Sequence, residues 1–230
     1  MSVSDILDIV LSLIAMFLAI VFHEYAHGHV ASRLGDPTPR DRGRLTLNPL
    51  AHVDPIGTII LPLALVVLRS PFVFGWAKPV PINPSYFRNP FRGMLFVALA
   101  GPLTNAGLAL VATGIGRLAL TAIPGSLFGE GSFLAYLADA GLYFLGFFVI
   151  VNVILAVFNM IPIPPLDGSR VLAYLLPPRG RRFMLILEQY GFLILLGLIL
   201  LGGVSGLLSL TSVIWERLLG TSWGIILFAH

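Results

Sequence analysis

Long apolar runs alternate along the chain with short, proline-rich polar breaks, and this alternation sets the expected elements. Residues 9–22 carry no charge. Their helical pattern continues through Arg33 to Leu34, where Gly35, Asp36, Pro37 and Pro39 end it. Residues 40–54 are polar and basic, with Asn48-Pro49 as a turn signal. Residues 56–68 are apolar again, with Pro62 inside, but the run is shorter than the roughly 20 residues a transmembrane helix needs. A re-entrant or interfacial segment fits that length. From 70 to 92, Pro71, Pro79, Pro81, Pro84 and Pro90 predict an irregular or β-hairpin stretch near the interface. Residues 93–120 predict a span interrupted at Gly101-Pro102, and 133–158 predict another, with Asp139 near its start. Pro162, Pro164 and Pro165 stop that helix, and a short helix over 168–176 follows. A further span is expected over 183–201. The tail, 203–230, mixes Trp215, Glu216, Arg217 and Trp223 with apolar residues and reads as an interfacial amphipathic helix or a last span.

Composition decides what solvent these runs face. Of 230 residues, 57% are hydrophobic and 11% charged, and the mean hydropathy is +0.93. A water-soluble domain carries roughly 45–50% apolar and about 25% charged residues. The expected fold is therefore an all-α polytopic membrane bundle, one domain over 1–230 with a core at about 5–176 and C-terminal helices at about 182–230. The absence of cysteine excludes disulfides, thiolate catalysis and cysteine-ligated metals. No secretory signal is expected, because the first apolar run follows Asp5 and Asp8 instead of a basic region.

Charge then orients the bundle. Lys78 is the single lysine, and the arginines fall in loops between apolar runs, which points to topology and away from a nucleic-acid partner. If 56–68 is re-entrant, the loops holding Arg33, Arg40, Arg42 and Arg44, then Arg69, Lys78, Arg88 and Arg92, then Arg170, Arg179, Arg181 and Arg182 share one face. Only Arg117 and Arg217 lie elsewhere. The positive-inside rule makes that face cytosolic and puts the N-terminus outside.

The candidate chemistry begins in the first helix. His23-Glu24-Tyr25-Ala26-His27 is an H-E-x-x-H pattern. Spacing i, i+4 places both imidazoles on one helix face, able to share one Zn²⁺, with Glu24 beside them as general base. A shuffled chain of this composition would contain the pattern about 0.002 times. The bland alternative, two histidines satisfied by backbone carbonyls, leaves an intramembrane glutamate unexplained. At about 1.5 Å per residue, His23 lies roughly 15 Å from the Arg33 end, a depth that suggests hydrolysis within the membrane.

Zinc needs a third protein ligand, and His29, His52, Asp54, Asp139, Asp167 and His230 are the candidates. His29 lies about 240° round the helix from His23, off the ligand face. Asp167 follows the prolyl run and is either a ligand or the cap of the next helix. Asn159 and Asn105 are candidates for orienting a substrate backbone or stabilising an oxyanion, with hydrogen bonding of a broken helix as the alternative. Asn48, His52 and Asp54 are expected to shape the loop after the first helix. Gly101, Gly107, Gly114 and Gly116 are expected to be helix-packing positions.

HEYAHG, NPLAHVDPIGT, GPLTN and NMIPIPPLDG, in that order over about residues 20–175, resemble the site-2 protease family of intramembrane zinc metalloproteases. The short bacterial or archaeal branch, without PDZ or CBS domains, is the most similar. The resemblance implies zinc held by His23, His27 and Asp167, Glu24 as general base, and a three-span metal-binding core. It implies a prokaryotic cytoplasmic membrane location, with the lipid bilayer and transmembrane protein substrates as partners; a homo-oligomer is left open. The rival class is a membrane metal transporter or metal sensor using the same ligands. Glu24 discriminates, since a transporter needs no base between its ligands, and few further polar residues mark a through-path.

Overall fold

The computed structural model describes residues 3–68, 75–122, 133–202, 205–220 and 223. Helix dominates, and no strand occurs among the described residues. The helices are α1 (Val3–Arg33), α2 (Thr38–Asp41), α3 (Leu61–Val67), α4 (Pro90–Ala122), α5 (Phe133–Asn159), α6 (Asp167–Leu175), α7 (Pro178–Gln189), α8 (Gly191–Leu200) and α9 (Ser205–Leu219). Three of them, α1, α4 and α5, are long and apolar enough to cross a membrane. The protein is an all-α polytopic membrane protein. Ile6, Ile9, Leu13, Leu103, Leu110 and Leu118 are exposed on α1 and α4, as helix faces solvated by lipid require.

The chain divides into two compact units, one of residues 1–19 with 102–230, the other of residues 20–101. The first unit has its core where α1, α4 and α5 meet. Ala15 and Ala19, one turn apart, are fully buried, and Ala109 and Ala112 are nearly so. Small side chains at such positions let backbones approach closely. They pack with Leu142, Phe148, Val149 and Val153. A polar thread runs through this apolar packing: Asn105 Nδ2 donates to Asn152 Oδ1 (2.7 Å) and to the Ala19 carbonyl (3.2 Å). Asn152 Nδ2 donates to the Phe148 carbonyl at 2.8 Å. Buried amides are tolerated only when bonded in this way.

One expectation changes in this unit. The span predicted over 183–201 is two helices, broken between Gln189 and Gly191. Gly191 sits against the Pro164–Pro165 backbone, where a Cβ would lie 3.0 Å from Pro164 C and Pro165 N. At 12 and 10 residues, neither helix alone spans a core about 30 Å thick. The tail packs into the same unit. Leu219 and Trp223 belong to the core of the unit, and Trp223 Nε1 donates to the Leu142 carbonyl at 2.9 Å. Arg117 closes the end of α9, its guanidinium donating to the carbonyls of Leu218 (3.0 Å) and Arg217 (2.9 Å), groups that a helix terminus leaves unpaired.

The second unit is built on residues 20–33 of α1 and 90–101 of α4, with Ala31, Phe87 and Val97 as its buried apolar cluster. Its loops are held by side chains that accept from backbone. Asn48 Oδ1 accepts from Leu50 N at 3.1 Å. Asp54 Oδ1 accepts from Ile56 N and Gly57 N at 3.0 and 2.7 Å, starting a π-helical turn over Pro55–Ile60 that leads into α3. Residues 55–67 are helical, because a capping aspartate followed by proline favours helix entry; the β-hairpin alternative for 70–92 is corrected, since no strand occurs there among the described residues. Of the expected 70–92 stretch, 70–74 lie outside the described residues. Residues 75–83 have no regular secondary structure, and a 3₁₀ turn, Pro84–Tyr86, joins them to α4.

Candidate metal centre

In the second unit α1 carries His23 and His27, both buried, one above the other as i, i+4 spacing dictates. Their Nε2 atoms lie 3.0 Å apart, with the rings edge to face at 4.5 Å between centroids. Nitrogen ligands about 2.0–2.1 Å from a tetrahedral zinc sit roughly 3.3 Å from one another, so a shift of a few tenths of an ångström fits the pair to the ion. His27 Nδ1 contacts the Val97 carbonyl at 2.7 Å. A carbonyl can only accept, so Nδ1 carries the proton and Nε2 carries the lone pair that a metal would need. Such a backbone partner also fixes the ring orientation of a metal-bound histidine.

Gly101 completes this half of the centre. It lies one turn beyond Val97 on α4, and a Cβ there would fall 2.5 Å from both His23 Cε1 and His27 Nε2. The position is a cradle for the imidazoles, not only the helix-packing glycine expected from sequence. A Cβ added at Gly107 or Gly114, by contrast, would meet nothing within 4 Å, so these two are not close-packing sites in this chain.

Glu24 is partly exposed and its Oε2 accepts a hydrogen bond from Val80 N at 2.9 Å. Neither Val80 nor the Val97 carbonyl was legible as functional in the sequence. For Val80 a signal existed: Pro79 and Pro81 flank it, which makes its N–H the only donor between Lys78 and Ile82.

The remaining candidates fall as follows. His29 stacks on Tyr25, 5.7 Å between centroids. His52 is buried with Nε2 on the Thr46 carbonyl at 2.9 Å, and Asp54 is a cap, so both serve the loop. Asp139 is exposed near the start of α5, and His230 lies outside the described residues. In the first unit, Asp167 is the first residue of α6, and the cap position before it is filled by Leu166, without a side-chain hydrogen bond. The carboxylate is thus not at the cap position considered as its structural alternative. Gly168 lies against the Met160 and Ile161 carbonyls, so the prolyl turn folds tightly back under the start of α6. Asn105 is fully buried and its amide binds Asn152 and Ala19, the structural one of its two expected roles. Asn159 is partly exposed, with Nδ2 on the Leu155 carbonyl at 3.0 Å.

Residues 82–198 match the family described as peptidase family M50, a stretch that starts after the His-Glu-x-x-His turn and includes Asp167. The chain is 37% identical over 183 residues to a Bacillus subtilis protein named "Putative zinc metalloprotease YwhC", covering 80% of this chain and 77% of that one. It is 29% identical over 191 residues to Rip2 of Mycolicibacterium smegmatis, which carries the same zinc metalloprotease description (83% and 67% covered). It is 34% identical over 171 residues to MJ0611 of Methanocaldococcus jannaschii, likewise so described (74% and 73% covered). No solved structure matches.

Proposed function

The chain belongs to peptidase family M50, the site-2 type of zinc metalloprotease, and from that premise we propose that it hydrolyses peptide bonds within transmembrane segments of other proteins. The observation that carries the reading is the pair of buried imidazoles with Nε2 atoms 3.0 Å apart and a carboxylate between them in sequence, on a helix of membrane-crossing length. His23 and His27 would hold the zinc, with Asp167 as the third ligand. In support, a set of two histidines and one carboxylate suits catalytic zinc. Zinc, when bound, supplies a Lewis acid that polarises a carbonyl and makes water more acidic.

Glu24 does the proton work: its carboxylate takes a proton from the attacking water and returns one to the leaving nitrogen. A substrate helix must unwind first, since a helical amide is shielded by its own hydrogen bonds. Residues 55–67 are helical and use their backbone groups internally, so backbone groups that pair with the unwound chain come from the proline-rich loops. Asn159, at the last turn of α5, is the amide that orients the substrate backbone. The enzyme sits in a prokaryotic cytoplasmic membrane with its arginine-rich loops in the cytosol, a topology supported by the charge count.

The test is incubation of purified, zinc-loaded protein with model transmembrane substrates, with fragments identified by mass spectrometry. Cleavage within the apolar segment is expected, and Glu24→Gln should keep stoichiometric zinc while losing at least about 100-fold in rate. Cleavage only in soluble tails, or wild-type activity in Glu24→Gln, overturns the reading.

A further inference from the structure

Along residues 76–80 every second N–H group is bonded to a neighbouring segment. Trp76 N donates to the Gly57 carbonyl at 3.1 Å, Lys78 N to the His52 carbonyl at 2.9 Å, and Val80 N, next in the alternation, to Glu24 Oε2 at 2.9 Å. Pro79 and Pro81 fall between these positions, where no donor is needed. Three residues on, Asn83 N donates to Asp36 Oδ2 at 2.7 Å, and Asp36 is almost wholly buried just beyond α1. The strap is thus tied down on both sides of Val80. The Val80 side chain is also buried and faces Gly28, where a Cβ would come within 3.1 Å of Val80 Cγ1. Gly28 is one turn after Glu24 on α1, so side chain and amide of Val80 dock on successive turns of the same helix face.

We infer that Val80 is a positioning residue for the reaction: its backbone N–H holds Oε2 of Glu24, fixing the carboxylate's rotamer and leaving Oε1 to exchange the proton. The strap does not touch the substrate bond in this role. It acts through Glu24, and the inference rests on the reading of Glu24 as the general base. Hydrogen bonds from fixed backbone donors to a carboxylate are short and directional, and they restrict a side chain that otherwise has three rotatable bonds.

The experiment has two arms on the full-length protein. In the first, amide hydrogen exchange is followed at Val80, which the flanking prolines isolate as the single exchangeable backbone position between Lys78 and Ile82. Glu24→Ala should speed its exchange by at least about 10-fold, whereas Glu24→Gln, whose side-chain oxygen can still accept, should keep it protected. In the second, Val80→Pro deletes the donor and Val80→Ala keeps it. Val80→Pro should lower kcat about 10–100-fold with KM and zinc content unchanged, and Val80→Ala should retain a kcat near wild type. Unchanged exchange in Glu24→Ala overturns the inference even if Val80→Pro fails to fold; so does a Val80→Pro enzyme with normal kcat. Were Glu24→Gln itself fully active, the base assignment would fall, a result distinct from either of these.

Discussion

Replacing Gly101 by alanine sets two effects of opposite sign against each other. In a helix interior, alanine is favoured over glycine by about 0.5–1 kcal/mol, so a glycine serving only as a helix residue should yield a more stable protein. At this site, however, the new methyl would lie 2.5 Å from His23 Cε1 and His27 Nε2, and 2.7 Å from His23 Nδ1. Ordinary carbon contacts are about 3.5–4.0 Å, so the rings must retreat by roughly 1 Å. The His27 ring does not swing freely, since it is tied to Val97 at 2.7 Å. Overpacking of this sort costs about 1–3 kcal/mol, which outweighs the helix term. Ligand distances at a metal tolerate only about 0.2 Å, so zinc affinity should fall by at least the 10–100-fold typical of disturbed ligand orientation. Gly107→Ala is the control, with open space around its Cβ position; it should bind zinc normally and gain up to about 1 kcal/mol. Competition with a chromophoric chelator measures the affinity, and thermal unfolding in detergent measures the stability. If Gly101→Ala binds zinc as tightly as Gly107→Ala, the cradle around the imidazoles is wrongly described.

Asp167→Ala should lower both zinc content and cleavage, since two histidines leave catalytic zinc one ligand short; metal analysis showing full occupancy would send the search for the third ligand elsewhere. Asn105→Ala removes the donor to Asn152 Oδ1 and a second donor to the Ala19 carbonyl, leaving the buried Asn152 oxygen unpaired, and should destabilise the protein by about 1–3 kcal/mol. Denaturation in mild detergent checks this, and a normal midpoint would show that the amide thread is not structural. Single cysteines replacing Arg42 and Arg88, both exposed, should react with an impermeant thiol reagent from the same side of the membrane. Labelling from opposite sides would make residues 56–68 a true crossing.

The sequence alone carried the membrane class, the three long helices and the ligand helix, because each depends on local pattern. Apolar runs of sufficient length report the solvent, and i, i+4 spacing brings His23 and His27 together on any α-helix. The loop roles of Asn48 and Asp54 were equally local, since such side chains bond backbone amides two or three residues on. Tertiary structure decided what distant segments do to one another. The apolar pattern over 183–201 is continuous, yet the helix breaks where Gly191 meets Pro164 and Pro165, a close approach that no pattern within 183–201 encodes. Trp223 looked like an interfacial aromatic until its indole found the Leu142 carbonyl, 81 residues away. Gly101 and Gly107 are alike as letters, and only the imidazoles packed against one of them give it a function. The prolines on either side of Val80 single out its amide, but only folding places that amide beside Glu24, 56 positions earlier in the chain. Periodicity records which face of an element is apolar; which atoms lie opposite that face is settled by packing alone.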